Sequence, residues 1–229
     1  MYAEFVTERI LLPWHDPLPR SVALRMAALT AQRIVEGRHE PGELLTEAHL
    51  AEAAGASRTP AREAMLHLQS WGLVRLAPKK GGIVTAVSGG ERRDLLDLRA
   101  MWEVRSVELL APSASARSEL VAALRTSLDD QRTALDAGDV LLFAEADFGF
   151  HLRIIESGGN RVVAELAAAL GPRFARLTYQ AASGDLDAAR RYHGEHEDLL
   201  RPIEAGDPTA FEAAVRRHIR AAHFPEAHR

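Results

Sequence analysis

Asp147 and His151 stand four residues apart, so on a helix both side chains lie on one face and can share a single ion. His196 and His218 are 22 residues apart, and the midpoint, residue 207, falls inside a "GDP" turn at Gly206 to Pro208. Two antiparallel helices folded at that turn bring the two imidazoles to the same level, so three imidazoles and one carboxylate can converge. Cysteine is absent, which excludes disulfides, thiolate metal sites and cysteine nucleophiles and leaves nitrogen and oxygen to hold any metal. Such a set suits a divalent first-row ion, zinc foremost, with nickel or manganese as alternatives, and leaves coordination positions open for water or a ligand. His193, three residues before His196, is a rival ligand, and with ten histidines in the chain an i, i+4 pair also arises by chance. The same donor set describes a metal-dependent hydrolase or a structural metal in a helical interaction protein. A hydrolase, however, needs a general base near the metal, and no HExxH motif supplies one.

A second constellation is basic. In "SRTPAREAMLHLQSWGLV", Ser57 to Val74, the apolar positions Ala61, Ala64, Met65, Leu68 and Trp71 form one helical stripe and leave Arg58, Arg62 and Gln69 on the opposite face. Cations near a helix N-terminus oppose the macrodipole, so stability alone does not explain them. "LVRL" and "IVTAV" then alternate as two short strands around "APKKGG", which sets Lys79 and Lys80, the only lysines in the chain, at a hairpin tip. A helix entering a major groove beside a basic wing accounts for both features. The alternative is a solvated basic face. Formal net charge is -4, yet residues 57 to 82 carry five basic side chains to one acidic, so the positive charge is local.

Positioning these groups requires a definite set of elements. Val22, Met26, Leu29 and Ile34 recur at helical spacing over 22 to 35, and "EGRHEPGE" ends that helix. Thr46 caps a short second helix with Leu50, Ala51 and Ala54 on its apolar face, and Gly55 turns the chain toward Ser57 or Thr59 as the next cap. Pro60 fits the first turn. "SGGE", Ser88 to Glu91, reads as a short flexible connector. Beyond it helices are expected near 91 to 110, 117 to 137, 139 to 156, 160 to 180, 186 to 205 and 208 to 223. The fold class is therefore mainly α: a winged helix-turn-helix over residues 1 to 88, with an arm over 1 to 20 that packs on a neighbour or stays disordered, and an all-α antiparallel helical bundle over 89 to 229. No stretch has the length and apolarity of a membrane span, and Glu4 and Glu8 spoil a signal-peptide pattern, so a cytoplasmic protein is expected.

"LLTEAHLAEAAGASRTPAREAMLHLQSWGLVRLAPKKGGIVTAV" closely resembles the winged helix-turn-helix of the GntR family of bacterial transcription regulators, over roughly Ala23 to Val87. The resemblance implies DNA contacts by Arg58, Thr59 and Arg62, with Gly81 and its neighbours Lys79 and Lys80 on the wing. Ala48 departs from relatives that carry a DNA-contacting arginine there. "DFGFHLRIIESGGN" and "HEDLLRPIEAGDPTAFEAAVRRHI" resemble the FCD effector domain of the FadR-type branch, over roughly Glu91 to His223. That likeness implies a metal held by Asp147, His151, His196 and His218, favouring His196 over His193, and a small organic acid gripped by the metal and an arginine. Arg99 is the first candidate for that arginine, against a plain salt bridge to Glu103. Arg173, Arg176 and Asn160 are further candidates for the same cavity. His15, His39, His223 and His228 read as surface or terminal residues, His49 as exposed, and His67 as marginal to DNA. The implied protein is not an enzyme but a ligand-responsive regulator, a repressor in the common case. It would bind a palindromic double-stranded operator as a homodimer, because one short helix reads too few base pairs for genomic specificity.

Overall fold

A computed structural model describes residues 12 to 15 and 17 to 224; the first eleven residues of the expected arm and His228 lie outside the described residues. Helix α1 (Val22–Val35) is followed by the two-residue strand β1 (Leu44–Leu45), α2 (Glu47–Ala53), α3 (Arg58–Ser70) and the hairpin β2 (Val74–Ala77) and β3 (Gly81–Val84). Six helices complete the described chain: α4 (Gly89–Leu110), α5 (Ala114–Asp136), α6 (Val140–Ser157), α7 (Arg161–Ala182), α8 (Leu186–Ala205) and α9 (Pro208–His223). Among the described residues no helix is long and apolar enough to cross a membrane.

The N-terminal helices follow their apolar periodicity with local corrections. In α1 the buried stripe is Ala23, Met26, Ala27, Thr30, Ala31 and Ile34, while Val22 and Leu29 face out. Thr46 caps α2 through a 3.1 Å bond accepted from His49 N–H, but Ala54 is exposed. Ser57 takes the N-cap position of α3 without a side-chain bond, and Trp71 closes that helix half-buried rather than in the stripe. The sheet has three strands in the order β1-β3-β2, all antiparallel, with Leu44 opposite Ile83 and Leu45 opposite Gly82. Strand β1 was not foreseen: two residues are too few to show a period.

The expected flexible connector is not one. Ser88 is the N-cap of α4, accepting from Glu91 N–H at 3.0 Å, so Gly89 and Gly90 already belong to the helix. Capping explains most other helix starts as well: Ser113, Asp139, Asn160, Asp185 and Asp207 each accept a backbone N–H with the side chain. Helix α8 stops at Gly206 in the left-handed conformation (φ 69°), and Pro208 opens α9, so α8 and α9 fold back on one another about residue 207.

One hydrophobic cluster runs through both halves of the chain, from Leu12, Trp14 and Met26 through Met65 and Leu73 to Leu96, Phe150, Phe174 and Phe211. The described part of the arm packs on its own bundle: Leu12 and Trp14 are buried, and Trp14 Nε1 donates to Glu145 Oε1 at 2.7 Å.

Candidate functional site

The periodicities of α6, α8 and α9 bring one set of polar groups to the bundle interior. Asp147 and His151 leave α6 on its buried face, His196 comes from α8 and His218 from α9, and all four are at most 4% exposed. Ligand-capable atoms of the three imidazoles lie within 4.8 Å of one another. Asp147 Oδ1 stands 3.3 Å from His196 Nε2 and 3.8 Å from His151 Nε2.

The neighbours of the rings decide which nitrogen is free. His151 Nδ1 faces Glu103 Oε2 at 3.1 Å, His196 Nδ1 faces Gln131 Oε1 at 2.9 Å, and His218 Nδ1 faces Glu195 Oε2 at 2.8 Å. Each neighbour of Nδ1 is an oxygen, an acceptor for a proton on that nitrogen, and this tautomer turns an Nε2 lone pair toward the centre. Burial drives His196 down to about 4 and His218 well below the usual histidine range, which keeps both rings neutral. Burial alone would raise the Asp147 carboxyl, but the adjacent His196, with His151 and the Arg99 guanidinium, holds it well below the usual carboxylate range. His151 Nε2 and His196 Nε2 are 3.2 Å apart. That spacing matches the roughly 3.3 Å between nitrogens sharing a tetrahedral zinc ion. Three imidazoles with ligand atoms within 4.8 Å of one another, and the Asp147 carboxylate 3.3 Å from one of them, fit a divalent cation. His193 points elsewhere, with Nε2 3.1 Å from the Leu128 carbonyl.

Arg99 lies among these groups, 2% exposed, with Nε 3.2 Å from Glu103 Oε1. Both expectations for it therefore hold some ground: the ion pair exists, yet Nε and Nη2 make no hydrogen bond.

The basic surface is separate. Arg58, Thr59, Arg62, Lys79 and Lys80 are exposed, and among the described residues no acid lies within salt-bridge distance of the four cations. Lys79 sits at the hairpin tip with φ 61°. Gly81 has a packing reason of its own: a Cβ there would stand 2.1 Å from the Leu45 carbonyl oxygen, at φ 125°.

Helix α7 joins the two regions. Thr178 Oγ1 donates to Asp147 Oδ2 at 2.8 Å, while Arg176 Nη1 donates to the Thr85 carbonyl at 2.8 Å. Thr85 Oγ1 in turn donates to the carbonyls of Gly72 and Leu73, just past α3.

Comparison with known proteins adds to this geometry. The family model "Bacterial regulatory proteins, gntR family" matches residues 15–84, and the FCD domain model matches residues 94–221, more than half of the chain. An HTH-type transcriptional regulator of Streptomyces ambofaciens, encoded in an unstable DNA locus, is 31% identical over 81% of this chain and 80% of its own length. The chain belongs to the GntR family of bacterial regulators. The HTH-type transcriptional repressor RspR of Escherichia coli is 25% identical over 78% of the chain and 77% of its own length. A gluconate operon transcriptional repressor of Bacillus licheniformis is 31% identical over 60% of the chain and 55% of its own length. The solved structure of E. coli McbR/YncC, 22% identical, superposes with a TM-score of 0.71 over 88% of this chain and 94% of that one and shares the fold.

Membership in the GntR family makes the chain a DNA-binding transcription regulator rather than an enzyme, and sets the hydrolase alternative aside. Three expected effector contacts of this GntR regulator have other work. Asn160 is exposed and caps α7, accepting from Val163 N–H at 3.2 Å. Arg173 pairs with Glu91 on α4 and lies against Gly72. Arg176 reaches Thr85, as above. Conversely Glu103, Gln131 and Glu195 orient the rings and were not foreseen in that role; the only trace was the i, i+4 spacing of Arg99 and Glu103. His223, expected at the surface, is buried, and His67 stacks on Trp71 with centroids 5.9 Å apart.

Proposed function

We propose that this GntR regulator is an effector-responsive repressor that binds a palindromic operator as a homodimer, with a divalent first-row metal and a small carboxylate in its bundle. Asp147, His151, His196 and His218 would hold the metal. Zinc suits the neutral imidazole set best, with nickel or manganese as alternatives. The observation that carries the reading is the convergence of three buried imidazoles within 4.8 Å, each with an oxygen beside Nδ1. When bound, the ion supplies a Lewis-acidic partner for a carboxylate oxygen. Arg99 supplies the opposite grip, since Nε and Nη2, which make no hydrogen bond, form the guanidinium edge that pairs bidentately with a carboxylate.

On the DNA side, Arg58, Thr59 and Arg62 meet base edges or phosphates in the major groove, and Lys79, Lys80 and Gly81 form the wing tip that follows the backbone. The names of the relatives support repression. Twofold assembly is supported by the half-site requirement and by the exposed apolar side chains Met101 and Leu109 of α4 and Val162 and Leu166 of α7. An effector shifts operator binding only as far as it favours one arrangement of the two DNA modules over another. Helix α7, bonded to Asp147 and to Thr85, supports a mechanical link between the two sites.

The test combines elemental analysis of the purified protein with a thermal-shift screen of small carboxylates, with and without chelator, and an operator-binding assay on the hits. Stoichiometric metal, and a carboxylate that raises the melting temperature only when metal is present and alters operator binding, are expected. Full stability and operator response after chelation would remove the metal from the reading.

A further inference from the structure

Helices α4 and α9 leave a groove of about 260 Å³ between them. Helix α4 lines it with Arg93, Asp97 and Ala100, spaced i, i+4 and i+7 on one face, and α9 lines it with Arg216, Ile219 and Arg220, spaced i, i+3 and i+4. Arg93, Asp97 and Arg220 are exposed, so the groove opens to solvent, whereas Arg99, Glu103 and His218 leave the same two helices on their buried faces. Ala100 and Ile219 are buried and give the groove an apolar floor, which half-buried Phe224 extends. Three guanidiniums thus stand against one carboxylate in the lining. Among the described residues Arg93 and Arg220 have no acid within salt-bridge distance, and Arg216 gives Glu212 only its Nε, at 2.8 Å. Stability does not ask for this arrangement. Arg220, in the last turn of α9, complements the helix dipole, but Arg93, just past the first turn of α4, gains nothing from it.

Cations of one sign gathered around a concave surface favour an anion. A carboxylate has two coplanar oxygens, which a single guanidinium fork satisfies, whereas a phosphoryl group presents its oxygens around a tetrahedron and takes forks from both helices at once. Asp97 repels a further anion but accepts a hydrogen bond from a hydroxyl. Volume limits the rest of the ligand. The groove is smaller than the roughly 300–1,000 Å³ of pockets for drug-sized molecules, yet several times the roughly 30 Å³ of one water, so it has room for a short carbon chain on Ile219 and Phe224 beside the phosphoryl group. We infer that the groove between α4 and α9 is a second ligand site that takes a small polyol phosphate, its phosphoryl group on Arg93, Arg216 and Arg220 and a hydroxyl on Asp97. The site shares no residue with the proposed metal and carboxylate centre and stands independently of it.

The test is calorimetric titration of the full-length protein, at fixed ionic strength, with glycerol 3-phosphate, propyl phosphate, inorganic phosphate and glycerol. Glycerol 3-phosphate is expected to bind saturably and more tightly than propyl phosphate, which lacks the hydroxyls, and than inorganic phosphate, which lacks the carbon chain; glycerol alone does not bind. Arg93→Gln and Arg220→Gln each weaken glycerol 3-phosphate by about tenfold or more. Arg201→Gln, at an exposed arginine of α8 outside the groove, leaves its affinity within about twofold. Both groove arginines are exposed and unpaired, and either variant decides the matter should the other fail to fold. No saturable binding of glycerol 3-phosphate, affinity no higher than that of inorganic phosphate or propyl phosphate, or a loss in Arg201→Gln equal to that in the groove variants overturns the assignment. DNA is the other source of phosphate. A tenfold loss of operator affinity in Arg220→Gln, without binding of the ester to wild type, means that the groove grips the DNA backbone and likewise overturns it.

Discussion

Glu103, Gln131 and Glu195 each stand at Nδ1 of one central histidine, so they bear on the proposed metal site as much as its candidate ligands do. Replacing the Glu195 carboxylate that fixes His218 Nδ1 at 2.8 Å frees the ring to turn and to exchange tautomers, and Glu195→Ala is expected to weaken metal binding by about 10- to 100-fold. His218→Ala removes a ligand outright and should abolish stoichiometric metal; competition against a calibrated chelator separates the two. Metal affinity unchanged in both variants would mean the ion sits elsewhere. On the DNA face, Arg62→Ala should cost about 1–3 kcal/mol of operator affinity if the side chain reads a base, measured by titration at fixed salt; an unchanged affinity takes Arg62 off the recognition surface. The convergence of these side chains was legible because a spacing of four, and a spacing of 22 centred on a turn, are properties of helices. Gln131 and Glu103 come from other helices, which no spacing relates to the histidines. His223 was misread for a similar reason: nearness to the chain end says nothing about burial, which depends on how α9 packs against α4, α7 and α8.

Secondary-structure ends were mostly legible because side chains at the ends do the work: Thr46, Asp207 and the Gly206-Pro208 turn are chemical signals in the chain itself. What the chain did not announce was long-range. Strand β1 exists because Leu44 and Leu45 pair with β3, and "SGGE" became a helix start because Ser88 found an N–H to accept. The wing illustrates the difference sharply. Gly81 resembles a DNA-contacting residue by motif, yet its geometry demands glycine before any DNA arrives, since a Cβ would stand 2.1 Å from the Leu45 carbonyl oxygen. Gly81→Ala is therefore expected to destabilise the protein by about 1–3 kcal/mol and to weaken operator binding through a displaced wing. Gly37→Ala is the control: φ is again positive, at 74°, but nothing lies within 4 Å of the new Cβ, so the loss should be smaller. Denaturant melts of both variants decide it, and equal losses would show that backbone strain, not the approach to β1, is what glycine relieves at residue 81.

At the scale of the whole molecule, the division into an N-terminal DNA module and a C-terminal bundle is crossed by a shared core, by the Trp14–Glu145 bond and by the Arg176–Thr85 bond. Of these, only the last touches both functional regions through a single helix: Arg176 holds the segment that closes α3 and the wing, and Thr178, two residues on, holds Asp147. Arg176 is 2% exposed, so its charge is spent inside the protein and not on solvent or DNA. Arg176→Met keeps the length and the apolar stem but removes the donor to the Thr85 carbonyl. If α7 transmits the state of the bundle, this variant binds metal and effector normally and holds the operator with near wild-type affinity, but the change in operator affinity on adding effector shrinks. Coupling between two sites is a free energy of about 1–3 kcal/mol, so a several-fold effector response falling toward unity is the expected scale. Operator titrations with and without effector, on wild type and variant, yield that ratio directly. An undiminished response in Arg176→Met would mean that the two modules are linked through the arm or the α4 start instead, and that the bond to Thr85 serves only to dock them.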